Sequence, residues 1–234
     1  MIGSHIYIIC SDQARNGKTL FARLYTDFLS LSGFDSVHLF DTDYPNGGLS
    51  RYFPDNSEIV DLSKTAGQVR LFDTMIENPD RHYVVDLQSE LLDRFFKIFH
   101  DISFDSGAAE SGLDITVFFI LDRSMSSIHA ADRLRGRLGD SSLVLVQNGA
   151  VGSILHLPSA ASEYSEIEKD RDIVLPKFSD TARNYVEDPN FSFARFIAGG
   201  YRDAPIDIRQ EVWSFLESLY EQRDSGGEGT THLI

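Results

Sequence analysis

Gly17, Lys18 and Thr19 bring a flexible backbone, an ammonium and a hydroxyl to the start of an amphipathic run. The chemistry this suits is the holding of a phosphate chain with a divalent cation. N–H groups at a helix start point at an anion, and the helix dipole favours negative charge there. Lys18 can reach terminal phosphates as a point charge, and the Thr19 hydroxyl can ligate magnesium. Gln13, Ala14, Arg15 and Asn16 would wrap the phosphates from upstream, and Leu20 completes the segment. The spacing G-x-x-x-x-G-K-[ST] is broken at its first glycine, where Asp12 stands. The plain alternative is an ordinary strand-to-helix turn with Lys18 in solvent.

Carboxylates recur where such a site needs them. Asp41 and Asp43 follow an apolar run, 37–40, and lead into the turn residues Tyr44-Pro45-Asn46-Gly47-Gly48. In open α/β sheets that position borders the ligand, although Asp, Asn and Gly there can also serve a solvated turn. Asp86 ends a second apolar run, 82–86, an arrangement that holds magnesium through a water opposite a phosphate loop.

The elements that must position these groups alternate. Strands are expected at 6–10, 37–40, 57–62, 82–86, 115–121, 143–146 and 173–176, the last cut off by Pro176. Helices are expected at 18–32, stopped by Gly33, at 65–77, and over the run containing Leu91, Phe95, Phe96, Ile98 and Phe99. On the 65–77 helix the apolar side comprises Val69, Leu71, Phe72, Met75 and Ile76. Further helices are expected at 125–138, around 164–170, near 179–187 and 191–198, and at 205–222. Residues 104–114, small and polar, read as a surface loop. The fold class is therefore α/β: a mostly parallel sheet of about seven strands with helices on both faces. The loops bearing Lys18, Asp41, Asp43, Asp86, Asn148 and Pro176 all follow strands, so a parallel sheet gathers them on one edge. Residues 1–223 are read as a single domain and 224–234 as a flexible tail.

Composition narrows the partners. The 234 residues include 36 acidic and 21 basic side chains, a net charge of −15, with a pI near 4.7. Such a charge repels phosphate backbones and anionic lipid at long range. The densest basic run, Arg133-Leu134-Arg135-Gly136-Arg137, suits a helix C-terminus complementing its dipole, or else a local DNA contact. One cysteine, Cys10, allows no disulfide framework, and the apolar runs are strand-sized; a cytoplasmic protein without a membrane span is expected. The 205–222 helix mixes Asp207, Glu211, Glu217 and Glu221 with Arg209, so it suits packing on the domain better than a membrane surface.

A phosphate loop near the start of the chain followed by Leu-Phe-Asp-Thr-Asp-Tyr-Pro-Asn-Gly-Gly-Leu-Ser, 39–50, resembles the ParA/MinD family of P-loop ATPases. Tyr83-Val84-Val85-Asp86 resembles that family's Walker B strand. Val146-Gln147-Asn148 and Leu175-Pro176 resemble its two adenine-gripping places. The resemblance covers about 5–200. It implies that Lys18 and Thr19 hold the β- and γ-phosphates of ATP and Mg2+, and that Asp43 orients the attacking water. It implies further that Asp41 and Asp86 support the ion through water, and that Asn148 and the backbone at Pro176 read the base. A nucleotide-linked homodimer, an unidentified protein partner and a positioning cycle for a protein or DNA cargo are also implied.

The chain departs from the family inside the loop. The usual Lys-Gly-Gly-x-Gly-Lys-Thr becomes Gln13-Ala14-Arg15-Asn16-Gly17-Lys18-Thr19. Gln13 cannot neutralise transition-state charge as the signature lysine does. Ala14 and Arg15 restrict any positive-φ geometry, and Asp12 adds a negative charge nearby. Arg15 restores a cation, toward its own phosphates or across a dimer, unless it is merely solvated. Weak ATPase activity at most is expected. Two other readings stay open: a non-hydrolysing adaptor on the same fold, and a small-molecule ligase or kinase of the dethiobiotin-synthetase type.

Overall fold

A computed structural model describes residues 4–34 and 37–224. In chain order the elements are β1 (His5–Cys10), α1 (Lys18–Leu31), β2 (Val37–Asp41), β3 (Ser57–Ile59), α2 (Thr65–Glu77) and β4 (His82–Asp86). Then come α3 (Leu92–Asp101), α4 (Phe104–Glu110), β5 (Asp114–Leu121), α5 (Met125–Arg135), β6 (Ser142–Asn148) and α6 (Pro158–Glu166). The last are β7 (Arg171–Leu175), α7 (Asp180–Val186), α8 (Phe193–Ile197) and α9 (Ile206–Asp224). All seven strands join one parallel sheet in the order β3-β2-β4-β1-β5-β6-β7. The expected α/β class is the observed one.

Strand alternation explains why the central runs are apolar throughout. In β1, Ile6, Ile8 and Cys10 face one layer while Tyr7 and Ile9 face the other. In β5, Val117, Phe119 and Leu121 join the first layer and Phe118 and Ile120 the second. The first layer is completed by α2 to α6, the second by α1 and α7 to α9. Register levels the strand ends: Asp41 lies beside Asp86, and Asp86 beside Ile9. The Leu87 N–H donates to Ile9 O at 2.9 Å and the Thr42 N–H to Asp86 O at 3.2 Å. Both acidic termini are thereby brought level with the loop that follows β1.

Some sequence expectations need correction. Residues 104–114 are not a surface loop: α4 occupies most of them, burying Phe104 and Ala108. The Phe104 ring sits 4.7 Å from Phe72 and 5.4 Å from Phe99. Two apolar residues four apart are too few to announce a helix, and packing supplies what propensity does not. Val69 is half exposed, because it falls off the face shared by Leu71, Phe72 and Met75. The helix expected around 164–170 lies earlier, started by Pro158 in its first turn, with Tyr164 near its end. The strand expected at 57–62 is confined to β3.

The α9 helix packs on the domain through Ile208, Val212, Phe215, Leu216 and Leu219. Its Phe215 ring stacks on Phe178 at 4.1 Å. It runs through Asp224; the rest of the expected tail, 225–234, lies outside the described residues. Among the described residues no helix is long and apolar enough to cross a membrane.

Candidate functional site

The loop between β1 and α1 is nailed down at its base. Ser11, fully buried, donates to Ile120 O at 2.6 Å. The buried Asn16 side chain donates to Ser11 Oγ and to Ile120 O. From the far side, Asn148 Nδ2 donates to Asn16 O at 2.7 Å, and Asn148 Oδ1 accepts from the Ala150 N–H at 2.9 Å. The loop is thus clasped between the ends of β5 and β6.

That clasp explains Gly17. Its φ of 95° lies in the left-handed region, and a Cβ there would meet Asn148 Nδ2 at 2.5 Å. The missing glycines have unequal consequences. Asp12 and Ala14 do not adopt positive φ, so neither position needs glycine; Arg15 does, at 62°. An L-residue there costs about 1 kcal/mol. Asp12 turns its charge away from the loop mouth, accepting from Ser127 Oγ at 2.6 Å, and Gln13 Nε2 donates to its other oxygen at 3.1 Å.

Above this base the loop is rich in unused donors. The α1 N-terminus has no side-chain cap and no acid in its first turn. Apart from the turn at 14–15, the N–H groups of 14–20 find no protein acceptor at close range among the described residues. Lys18 lies over them, its Nζ donating to Gln13 O at 3.1 Å and Ser89 Oγ at 2.7 Å. Burial pulls the Lys18 ammonium below its usual range, and Asp86 opposes that fall. A concave run of N–H groups beside an ammonium fits an anion of the size of a phosphate chain.

The acidic side of the site is as compact. Thr19 Oγ1 donates to Asp86 Oδ2 at 2.6 Å. Asp86 is pushed up to about 6 by burial first, with Asp41 and Asp43 adding to the rise while Thr19 and Lys18 oppose it. Asp41 Oδ1 accepts from the Asp43 N–H at 3.0 Å, and Oδ2 accepts from Gly48 and Ser50 N–H at 2.7 and 2.8 Å. Asp41 is therefore the anchor of the 43–50 loop. Asp43 Oδ1 accepts from Gln88 Nε2, and Gln88 N–H donates to Thr42 Oγ1 at 2.8 Å. A Cβ on Gly48 would stand 3.4 Å from Thr19 Oγ1, so this loop abuts the Thr19 hydroxyl. Among the described residues no three His, Cys, Asp or Glu side chains form a metal cluster. Magnesium does not require one, since it keeps waters and takes phosphate oxygens alongside one or two protein ligands.

At the ends of β6 and β7, Gly149 N–H donates to Leu175 O at 2.8 Å, and a Cβ there would meet Leu175 O at 2.9 Å. The Asn148 and Pro176 ends therefore touch, but the Asn148 amide is directed at Asn16 and Ala150.

Sequence reasoning missed the wall of the site. An open cleft of about 400 Å3 is lined by Arg15, Gly17, Lys18, Thr19, Leu20, Arg23, Tyr52 and Glu187. Arg23 is buried, donates to Val186 O at 2.8 Å and Phe191 O at 3.1 Å, and its guanidinium stacks on Tyr52 at 3.4 Å. Tyr52 Oη donates to Glu187 O at 3.1 Å. Nothing in the sequence marks Arg23, which sits on a helix like any solvated arginine. Ser89, the Lys18 partner, is equally unmarked.

No protein-family model matches this chain, and no curated protein matches it. Solved structures similar to it include a nucleotide-binding protein from Archaeoglobus fulgidus in complex with ADP. It is 13% identical, with a TM-score of 0.49, over 78% of this chain and 87% of that one. Another is a ParA family ATPase from Chlorobium tepidum TLS. It is 14% identical, with a TM-score of 0.44, over 89% of this chain and 97% of that one.

Proposed function

We propose that this chain is a ParA/MinD-like switch that binds ATP with magnesium on residues 13–20 and dimerises around the nucleotide. Slow hydrolysis would then reset the positioning of a protein or DNA cargo. The observation that carries the reading is the run of N–H groups from 14 to 20 beside the Lys18 ammonium. Converging N–H groups beside an ammonium, at a helix start, favour an anion over water.

The contacts support a role for each residue. Lys18 leaves Ser89 and Gln13 O for the terminal phosphates. Thr19 and Asp86, already 2.6 Å apart, are the groups that would hold magnesium, Asp86 through a water. The ion, when bound, neutralises charge on the phosphate oxygens. Asp41 supports that side by holding the 43–50 loop against Thr19, and Asp43 on the same loop orients the attacking water. The base lies against the turn after β6 and Pro176, while Asn148 sets the height of the phosphate loop. Arg15, at the cleft mouth, is the cation left to offset transition-state charge. Losing a signature cation lowers rates by roughly 10³-fold or more, so hydrolysis is slow.

One observation favours a second reading, a non-hydrolysing adaptor: the Gln13 side chain replaces a cation and is bonded to Asp12. A fluorescent ATP analogue titrated with and without magnesium separates the two. Saturable, magnesium-dependent binding is expected, weakened roughly tenfold or more by Lys18→Ala. No binding at millimolar analogue would falsify the switch and leave the adaptor.

A further inference from the structure

A second cleft of about 340 Å3 opens between α8, the connection after it and the first turns of α9. Phe196, Tyr201, Arg202, Ile206, Arg209 and Trp213 line it, and it shares no lining residue with the nucleotide cleft. Its floor is aromatic: Phe196 lies 5.3 Å from Trp213 and 6.4 Å from Tyr201. The Tyr201 hydroxyl is fixed, donating to Asn190 O at 2.8 Å and accepting from the Ser192 N–H at 3.0 Å.

Two features mark this cleft as a docking surface. The first is apolar exposure in phase: Ile206 and Trp213 in the cleft are 65% and 42% exposed, and Tyr220, seven residues further along α9 and outside the cleft, is 37% exposed. That spacing puts them on one stripe of the helix. The second is charge. Arg202 and Arg209 are the only ionised side chains among the lining residues. Neither makes an ion pair with any described carboxylate, Asp203 and Asp207 nearby included. Arg209 Nη1 donates to Arg202 O at 3.1 Å, which shapes the connection, and Arg195 stacks over Tyr201 at 5.1 Å. In a chain of net charge −15 the lining of this cleft carries arginines and no acid. Within a Debye length of about 8 Å the two guanidiniums are the charges that face a ligand seated in the cleft.

We infer that the cleft docks an acidic peptide segment of a partner protein, with an apolar side chain set against Trp213 and carboxylates on Arg202 and Arg209. Guanidinium–carboxylate pairs supply direction, and the aromatic floor supplies the anchor. Single-stranded nucleic acid shares the anionic and stacking chemistry. It fits less well, because two lining arginines neutralise few phosphates and the net charge opposes a long polyanion.

Trp213 is the chain's only tryptophan, so its emission reports on this cleft. The probes are the peptide Asp-Glu-Leu-Phe-Glu-Asp, its counterpart with lysine for each acid, and an oligothymidylate, with calorimetry as a second readout. The acidic peptide is expected to bind saturably and the lysine peptide not. Arg202→Glu, which removes a side chain with no ion pair of its own, should weaken the complex by about tenfold. Affinity for the ATP analogue should not change, which keeps this test separate from that of the nucleotide site. The inference is overturned by neither emission change nor heat at millimolar acidic peptide, by equal binding of the lysine peptide, by indifference to Arg202→Glu, or by preference for the oligothymidylate.

Discussion

Arg15 and Asp86 are two site residues whose local chemistry conflicts with stability. Arg15 holds a left-handed backbone that glycine would adopt freely. Arg15→Gly should therefore stabilise the fold by about 1 kcal/mol in urea melts. The same change should lower ATP turnover, since the cation at the cleft mouth is gone. A variant that gains stability and keeps full turnover would show that the guanidinium has no part in the chemistry. Asp86 is fully buried and its pKa is raised from the usual aspartate range to about 6. The folded state thus holds the proton more tightly than the unfolded chain does. No penalty applies below pH 4; it grows between 4 and 6 and is complete above, at roughly 3 kcal/mol. Metal-free Asp86→Asn should then melt higher than the parent at pH 8, with the gap closing at pH 4. A gap of equal size at both values would mean that the buried charge is not its cause.

At the scale of elements, the loop between β1 and α1 depends on the strand ends around it. Gly17 is required by its φ and by its approach to Asn148 Nδ2. Gly17→Ala should abolish analogue binding. Adding Asn148→Ala removes the steric part and leaves the backbone part, so the pair should recover some but not all affinity. Full additivity of the two changes would separate Asn148 from the loop. The α4 helix poses a different case, since its seven residues are held by packing. Phe104→Ala empties a site shared with Phe72 and Phe99 and should destabilise the protein by about 3 kcal/mol, measured by urea unfolding. A loss under half that size would mean that α4 is peripheral.

For the whole molecule, charge and the single open edge of site residues set the behaviour in solution. If the switch reading holds, sedimentation with magnesium and a non-hydrolysable ATP analogue should show a dimer that the protein without nucleotide does not form. Because both copies carry −15, the dimer should tighten as salt rises toward physiological strength. Dimerisation that ignores both nucleotide and salt would contradict the nucleotide-linked assembly.

The primary sequence determined the α/β alternation and the placing of candidate site residues after strands. Runs such as 115–121, apolar at every position, can be satisfied only between two layers, and Lys18, Asp41 and Asp86 each follow a strand. Those are local signals, carried by period and by neighbours along the chain. Only the tertiary structure decided that Asp12 faces Ser127, that Asn148 clasps Asn16, and that Arg23 is buried under Tyr52. Each of those contacts joins residues far apart in sequence, where a donor's direction depends on the fold around it and leaves no periodic trace.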